Sequence, residues 1–245
     1  MKAMILAAGL GTRLRPLTDN RPKALVEVGG RTLLEITLAR LRGFGVHDVI
    51  INAHHFADQI AKYLEAKNNF GMHIEISRED VLLDTGGGLK KAAYFFQETD
   101  EPFVLHNVDV ISAIDLGRMV QFHTTHRGLA TLAVQDRKTS RYLLFDDEFR
   151  LCGRKSGKDG TTEIARPAAN LQPLAFCGIH IISPRLLNML AEEGAFPIIA
   201  SYLRLTGAGE EILGFPAHEY YWHDLGTPQN VATVIAELRT GRVPA

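Results

Sequence analysis

Hydrophobic residues recur along this chain with two alternating periods. A near-continuous apolar run from Ala3 to Ala8 ends at Gly9, which is typical of a strand buried on both faces. Apolar residues at helical spacing follow from Leu33 to Phe44 and stop at Gly45, and a second apolar run occupies 48–52. The pattern predicts a strand, a loop, a helix and another strand.

The same alternation continues through the middle of the chain. It predicts helices near 58–67, 89–96 and 116–126, and strands at 73–77, 103–106 and 130–134. Strands that alternate with helices favour right-handed crossovers and parallel pairing. The sequence therefore predicts an α/β fold: a Rossmann-like, mostly parallel mixed sheet flanked by helices.

The pattern changes after residue 134. Two apolar stretches, at 142–145 and 149–153, are separated by three acidic residues and predict a β-hairpin. The polar, glycine-containing segment 154–170 is predicted to be a loop that closes over the site as a lid. Beyond it we predict strands at 174–182 and 222–225 and helices at 184–192, 197–205 and 228–239. No linker interrupts 1–245, which is expected to be a single domain.

Composition narrows the class of protein. The 245 residues are 46% hydrophobic, enough for one large core, and the net charge of −1 is spread along the chain. A nearly neutral charge without basic blocks excludes the basic surface that is typical of a nucleic-acid binder. No apolar stretch is long enough for a membrane span. The first apolar run is too short for a signal peptide. Cys152 and Cys177 form no C-x-x-C pair, so we expect a reducing, cytoplasmic setting.

The most informative motif follows the first strand. It runs from Leu6 to Arg13 as L-A-A-G-L-G-T-R, with Lys23 further on. Glycines after a buried strand let backbone N–H groups approach a phosphate, and the two basic side chains add charge. A bare G-x-G is most often only a tight turn, so the prediction depends on the whole string. Leu14 stands where a dinucleotide-binding motif needs its third glycine, and no P-loop lysine follows.

Two aspartates each follow a short strand. Asp109 comes after the strand at 103–106, and Asp224 follows Trp222 and His223. Either one alone could equally be a helix cap or a turn residue. Because the ends of parallel strands open onto the same edge of a sheet, we expect the two carboxylates to converge on one divalent cation.

Together these segments resemble the sugar-1-phosphate nucleotidyltransferases, over nearly the whole chain. Those enzymes join a nucleoside triphosphate to a sugar 1-phosphate, giving an NDP-sugar and pyrophosphate. The resemblance implies the nucleotide-diphospho-sugar transferase fold, a nucleotide-binding part at about 1–110 and a sugar-phosphate-binding part at about 111–245. It also implies that Arg13 and Lys23 act on the phosphates and that Asp109 and Asp224 hold Mg²⁺.

The resemblance implies further binding residues. Those for the nucleotide are Leu6, Ala8, Gly9, Gly11, Thr12, Arg13, Thr85 and Gly86. Those for the sugar phosphate are Asn107, Glu163, Arg166 and Gly178. The chain departs from the family at two places: Val108 replaces a glycine, and Ala165 replaces a glutamate, for which Glu163 could substitute only if its loop moved.

Several activities stay open within this resemblance. Among compact members the chain looks most like the N-acetylmuramate 1-phosphate uridylyltransferases of cell-wall recycling. Mannose- or heptose-1-phosphate guanylyltransferases and glucose-1-phosphate thymidylyltransferases are alternatives, and a non-catalytic nucleotide-sugar sensor is an alternative of another class. The expected partners are a nucleoside triphosphate and a sugar 1-phosphate, without nucleic acid or membrane, and monomer and homodimer both remain open.

Overall fold

The computed structural model describes residues 1–97 and 99–241, and within them the largest sheet has ten strands. The strands are β1 (Lys2–Leu6), β2 (Glu27–Val28), β3 (Arg31–Thr32), β4 (Asp48–Ala53), β5 (His73–Arg78), β6 (Phe103–Asn107), β7 (Val110–Ser112), β8 (Ala130–Gln135), β9 (Arg141–Phe145), β10 (Leu151–Ser156), β11 (Thr162–Ile164), β12 (Gln172–Ile182), β13 (Ile212–Pro216) and β14 (Trp222–Asp224). The α-helices are α1 (Leu33–Gly43), α2 (Ala57–Ala66), α3 (Asp84–Lys91), α4 (Leu116–Thr125), α5 (Ile198–Gly207) and α6 (Pro228–Arg239).

The central part of this sheet has the strand order β5-β4-β1-β6-β12-β8-β13. Within the described residues, β12 alone runs antiparallel to its neighbours there. Because β12 lies between β6 and β8, both halves of the chain contribute to one sheet. The predicted α/β class with a mostly parallel mixed sheet is confirmed.

The core lies on both faces of the sheet. Ala3 and Ile5 belong to one hydrophobic cluster, whereas Met4, between them, belongs to the other. All three side chains are fully buried. Side chains alternate between faces along a strand, so a strand covered on both faces needs an unbroken apolar run.

The segment 154–170 is not an irregular loop, and this part of the prediction is wrong. β10 continues to Ser156 and pairs with β11, with Gly153 opposite Ile164. β10 also pairs with β9, which joins the start of β12. Hydrogen bonds between the strands satisfy the backbone N–H and C=O groups of these residues. The prediction missed the strands because apolar and polar side chains do not alternate along them as they do in a half-buried strand.

Helix α3 begins earlier than its apolar pattern predicts. The expected start was near Leu89, but the helix begins at Asp84 and includes three consecutive glycines. Gly86 packs directly against the ring of Phe196, where a Cβ would collide. Close packing, rather than helix propensity, explains glycine at this position.

Two short strand pairs lie outside the main sheet. β2 pairs with β3, and β14 pairs antiparallel with β7, with Asp224 opposite Val110. Strands of two or three residues are too short for a period to be recognised. Among the described residues, no helix is long and apolar enough to cross a membrane.

Candidate active site

The loop after β1 is fixed at its start by a buried amide. The N–H of Ala7 donates to Oδ1 of Asn52, at the end of β4, over 2.7 Å. Gly11 then adopts a left-handed conformation with φ of 66°, which favours glycine. The hydroxyl of Thr18 donates to the carbonyl of Gly11 over 2.8 Å. Gly9 and Thr12 lie exposed between these anchors, so part of the loop backbone is available to a ligand.

Lys23 and Asp109 form an ion pair. Lys23 opens a short 3₁₀ turn, Lys23–Leu25, and Asp109 follows β6. Their side chains are only 15% and 11% exposed. Charges with this little water around them interact more strongly than a surface pair. The structure therefore joins the predicted phosphate lysine to a predicted metal ligand.

Asp109 and Asp224 are brought together by the β7–β14 pair. The N–H of Leu225 donates to the carbonyl of Asp109 over 2.8 Å, and Asp224 lies opposite Val110. The backbones of the two predicted metal ligands thus lie side by side, and the convergence of their carboxylates on one ion stays a prediction. The reason given for their proximity was wrong. Asp224 ends a strand of a separate antiparallel pair, not a strand of the parallel sheet.

Arg13, on the loop after β1, extends to the segment that contains Asp224. A Cβ added to Gly226 would lie 2.9 Å from Nη2 of Arg13 and 2.6 Å from Oδ1 of Asp224. The guanidinium therefore passes directly over Gly226, where any larger residue would displace it. Arg13 therefore lies beside Asp224, Lys23 pairs with Asp109, and a backbone hydrogen bond from Leu225 to Asp109 links the two pairs. We call these four residues the charged cluster.

Val108, which stands where the family pattern has glycine, points into the core and not into the charged cluster. Its side chain is 2% exposed and belongs to the main hydrophobic cluster. Its N–H donates to the carbonyl of Leu6 over 3.2 Å, and its φ is not among the positive values in the chain. The backbone here needs no glycine, and the β-branched side chain is buried in the core.

Asn107 and Gly178 are in contact beside the charged cluster. Gly178 has φ of 75°, and a Cβ there would lie 2.9 Å from Nδ2 of Asn107. The pairing of β8 with β12 shifts register between Phe176 and His180, which is the signature of a bulge. Two of the four predicted sugar-phosphate residues therefore lie together at the end of β6.

The other two, Glu163 and Arg166, lie elsewhere. Glu163 is on β11, the outer strand of the sheet, and pairs with Arg154 over 2.7 Å. Arg166 donates to the carbonyl of Glu210 and to the carboxylate of Glu211, directly before β13. Because β13 runs in the same direction as β6, its start lies at the opposite edge from Asp109. The structure does not bring either residue to the charged cluster.

Thr85 and Gly86 contact the start of α5. The hydroxyl of Thr85 accepts from the N–H of Ile198 over 2.9 Å, and the N–H of Gly86 donates to the carbonyl of Phe196 over 2.9 Å. These groups hold α3 against α5. The N–H of Gly86 is therefore engaged within the protein.

Sequence reasoning missed a buried polar bridge behind the loop. Nδ2 of Asn52 donates to Glu79 over 2.7 Å, and the other carboxylate oxygen of Glu79 accepts from the N–H of Leu83. Asn52 and Glu79 are 2% and 4% exposed. The bridge connects the loop after β1 to the entry of α3. The sequence shows only an acidic residue shortly after the strand predicted at 73–77, and its burial becomes visible in the structure alone.

A buried histidine lies directly before Asn107. His106 is fully buried, and its Nδ1 donates to the carbonyl of Asn107 over 2.8 Å. Burial, reinforced by the charge of Arg40, lowers the pKa of His106 to about 4. The residue is therefore neutral near pH 7 and contributes shape rather than charge to the site.

Comparison with known proteins gives one consistent family. The family model described as "Nucleotidyl transferase" matches residues 2–241. N-acetylmuramate alpha-1-phosphate uridylyltransferase from Caulobacter vibrioides is 35% identical, and the match covers 97% of this chain and 96% of the relative. Mannose-1-phosphate guanyltransferase from Yarrowia lipolytica is 30% identical, with 94% of this chain and 62% of that relative covered.

Solved structures give the same fold. HddC from Yersinia pseudotuberculosis, crystallised with GMP-PN, matches with a TM-score of 0.75 at 19% identity, and the match covers 97% of this chain and 99% of that one. The likeness extends over both halves of the chain. The fold is therefore of the nucleotide-diphospho-sugar transferase type.

Proposed function

The chain belongs to the nucleotidyl transferase family, and we propose that it transfers a uridylyl group from UTP to N-acetylmuramate α-1-phosphate. The reaction class, an NDP-sugar nucleotidyltransferase, follows from the family. The choice of sugar and base is supported by the relative with 35% identity, because that match covers nearly all of both chains. The match to the guanyltransferase leaves about two fifths of that relative uncovered.

The observation that carries the proposal is the charged cluster of Arg13, Lys23, Asp109 and Asp224. A triphosphate brings several negative charges, and the cluster offers two cations on the loop that starts at Gly9. Oxyanion charge that develops at the reacting phosphorus is best stabilised by donors fixed in advance in a poorly solvated site. The ammonium of Lys23, on a side chain that is only 15% exposed, meets that description.

The two carboxylates fit a magnesium ion. Mg²⁺ is usually bound by one or two carboxylates together with substrate phosphates and water. Asp224 lies on β14, and Asp109 directly precedes β7, the strand with which β14 pairs. The described residues contain no group of three or more potential metal ligands. A two-carboxylate site that relies on substrate oxygens is consistent with both facts. When bound, the ion would neutralise phosphate charge between the two substrates.

In this proposal the protein positions the reactants and uses no covalent nucleophile. A phosphate oxygen of the sugar phosphate forms a bond to the α-phosphorus of UTP in line. The bond from that phosphorus to the β-phosphate oxygen breaks, and pyrophosphate leaves. Lys23 stabilises charge on the α-phosphate, Arg13 holds the outer phosphates, and Asn107 with Gly178 contacts the sugar phosphate. Fixing two reactants in one geometry supplies a large part of the rate.

The nucleotide is assigned to the first part of the chain, about 1–110. The loop backbone after β1, which is exposed at Gly9 and Thr12, would wrap the phosphates. Leu6, Ala8 and Gly11 are the other residues of this segment that we assign to the nucleotide. Thr85 and Gly86 would help to shape the base pocket through their hold on α5. We assign the sugar phosphate to about 111–245, within one domain. The cytoplasm, where UTP is available, is the proposed location, and the two free, buried cysteines are consistent with it.

A pyrophosphate-release screen tests the proposal. UTP, dTTP, GTP, CTP and ATP are each mixed with Mg²⁺ and the 1-phosphates of N-acetylmuramate, N-acetylglucosamine, mannose, heptose and glucose. We expect the highest kcat/KM for UTP with N-acetylmuramate α-1-phosphate. A preference for GTP with mannose or heptose 1-phosphate, or for dTTP with glucose 1-phosphate, would replace the proposed substrates. Binding of nucleotide sugar without any release of pyrophosphate would instead support a sensor.

A further inference from the structure

Arg137 is a cation beside the charged cluster that the proposed reaction does not yet use. It follows β8, is partly buried, and stacks on Trp222, with its guanidinium carbon 3.8 Å from the ring centroid. Its Nη2 donates to the carbonyl of Phe176 over 2.7 Å. Nε is buried without a hydrogen-bond partner among the described residues. A planar guanidinium held by an aromatic face is pre-organised for a flat anion.

Within the part of the chain that the structure describes, no carboxylate balances the charge of Arg137. Across residues 1–97 and 99–241, Arg137 takes part in no ion pair with Asp or Glu, whereas Arg150, Arg154 and Arg185 each do. A partly desolvated cation without a counter-ion is costly, and a ligand anion would remove that cost. The position therefore points to an anionic group on the substrate.

The surroundings of Arg137 place this anion near the sugar. Phe176, whose carbonyl Arg137 binds, is two residues from Gly178, and Gly178 contacts Asn107. Trp222 donates through Nε1 to the carbonyl of Cys177 over 2.7 Å. The stacked pair is thus fixed to the bulge of β12 that we assign to the sugar phosphate.

Strand geometry separates this cation from the reacting phosphates. Trp222 and Asp224 lie two apart on β14, so their side chains project from the same face, about 6 to 7 Å apart along the strand. The sugar 1-phosphate becomes bonded to the α-phosphorus and must lie close to the carboxylates and Lys23. Arg137 is tied to this separation only through its stack on Trp222, whose position on β14 is about the width of a sugar ring from that of Asp224.

We propose that Arg137 binds the carboxylate of the lactyl ether on N-acetylmuramate and so selects this sugar. The inference rests on the proposed function. N-acetylglucosamine differs from N-acetylmuramate in lacking this ether and its carboxylate. The Arg137–carboxylate contact is therefore available to one of two otherwise matched substrates, and discrimination between them measures the contact directly. A charge-assisted pair of this kind contributes a factor of about 10 to 100 in affinity.

The kinetic test compares both sugars in the intact enzyme and in variants. With UTP and Mg²⁺, wild type should prefer N-acetylmuramate α-1-phosphate over N-acetylglucosamine α-1-phosphate. Arg137→Gln should lower kcat/KM for the muramate about 10- to 100-fold, mainly through KM, and leave the glucosamine rate nearly unchanged. Arg137→Lys should restore part of the preference. Arg185→Gln, an exposed arginine paired with Glu210 over 2.7 Å, is the matched control.

Binding can be followed without turnover, because Trp222 is the one tryptophan of the chain. Its fluorescence reports the stack with Arg137. UDP-N-acetylmuramate should change the emission of wild type more than UDP-N-acetylglucosamine does, and Arg137→Gln should abolish the difference. This readout uses wild type as well as variants, so it does not depend on how a variant folds.

The outcomes separate the two ideas. If Arg137→Gln lowers kcat/KM for both sugars equally, Arg137 binds the shared phosphate, and the selection proposal is overturned while the proposed function stands. Equal emission changes with the two products in wild type would also overturn it. If wild type does not turn over N-acetylmuramate α-1-phosphate at all, the proposed function fails and the inference fails with it.

Discussion

At the scale of single residues, Lys23 has the least solvated cationic side chain of the charged cluster and is tied to Asp109. We predict that Lys23→Ala lowers kcat about 10²- to 10³-fold, because charge on the reacting phosphate develops mainly in the transition state. The KM for UTP should change much less. Steady-state kinetics with Lys62→Ala, an exposed lysine on α2, as control gives the comparison. Unchanged kcat with a raised KM would reduce Lys23 to a binding residue.

The two aspartates give a second prediction at this scale. Asp109→Asn and Asp224→Asn keep the shape of each side chain but remove its charge, so each should nearly abolish turnover and raise the Mg²⁺ concentration needed. Folding should change little, as judged by thermal unfolding. Asp58→Asn serves as control, because Asp58 is an exposed residue paired with Arg78 over 2.7 Å.

The double variant decides whether the aspartates act on one ion. Residues that work as a unit show strongly non-additive losses, so the double variant should be little slower than the worse single variant. A loss equal to the product of the two single losses would mean that Asp109 and Asp224 act independently.

At the scale of elements, the bridge of Asn52 and Glu79 links β1, β4, β5 and α3. Asn52→Ala would leave the N–H of Ala7 and the carboxylate of Glu79 buried without partners. We predict a loss of about 2 to 4 kcal/mol in the free energy of unfolding, with a raised KM for UTP because the loop after β1 loses its anchor. Urea unfolding measures the first effect.

Asn170→Ala is the matched control for this bridge. Asn170 is exposed and donates to Asp147 over 3.0 Å, so its loss should cost less than about 0.5 kcal/mol. A similar small cost for Asn52→Ala would show that water replaces the buried amide. In that case the anchoring role of Asn52 would be withdrawn.

At the scale of the whole molecule, three buried histidines tie stability to pH. Burial lowers the pKa of His106 and of His123 to about 4 and that of His180 to about 3. In the unfolded chain their pKa lies near 6.5. The unfolded state therefore binds more protons below that pH, so stability is fully present above about pH 6.5 and is lost progressively as pH falls toward 4.

Urea unfolding at pH 7.5, 6.5 and 5.5 measures this dependence. The free energy of unfolding should fall by about 1 kcal/mol between the first two values and by considerably more between the second and the third. Calorimetry in two buffers of different ionisation enthalpy should show uptake of up to about three protons on unfolding at pH 5.5. Equal stability at pH 7.5 and 5.5 would contradict the neutral, buried state of these residues.

Periodic sequence features predicted the elements that are long enough to show a period. The apolar run of β1, the helical spacing of α1 and the order of strands and helices gave the α/β class. The elements missed, such as β7 and β13, contain few residues or follow no clear alternation. β11 was missed because its three residues are exposed and two of them, Thr162 and Glu163, are polar. Pairing with β10 makes them a strand.

The sequence by itself determined which chemistry is present: a glycine-rich loop with Arg13 and Lys23, and carboxylates at Asp109 and Asp224. Side-chain type is a local property, so a motif can be recognised without a fold. Only the tertiary structure decided which of these groups meet. It placed Asp224 beside Asp109 through the β7–β14 pair, moved Glu163 and Arg166 away, and set Arg137 on Trp222. Contacts between distant residues depend on strand order and register, which no local pattern encodes.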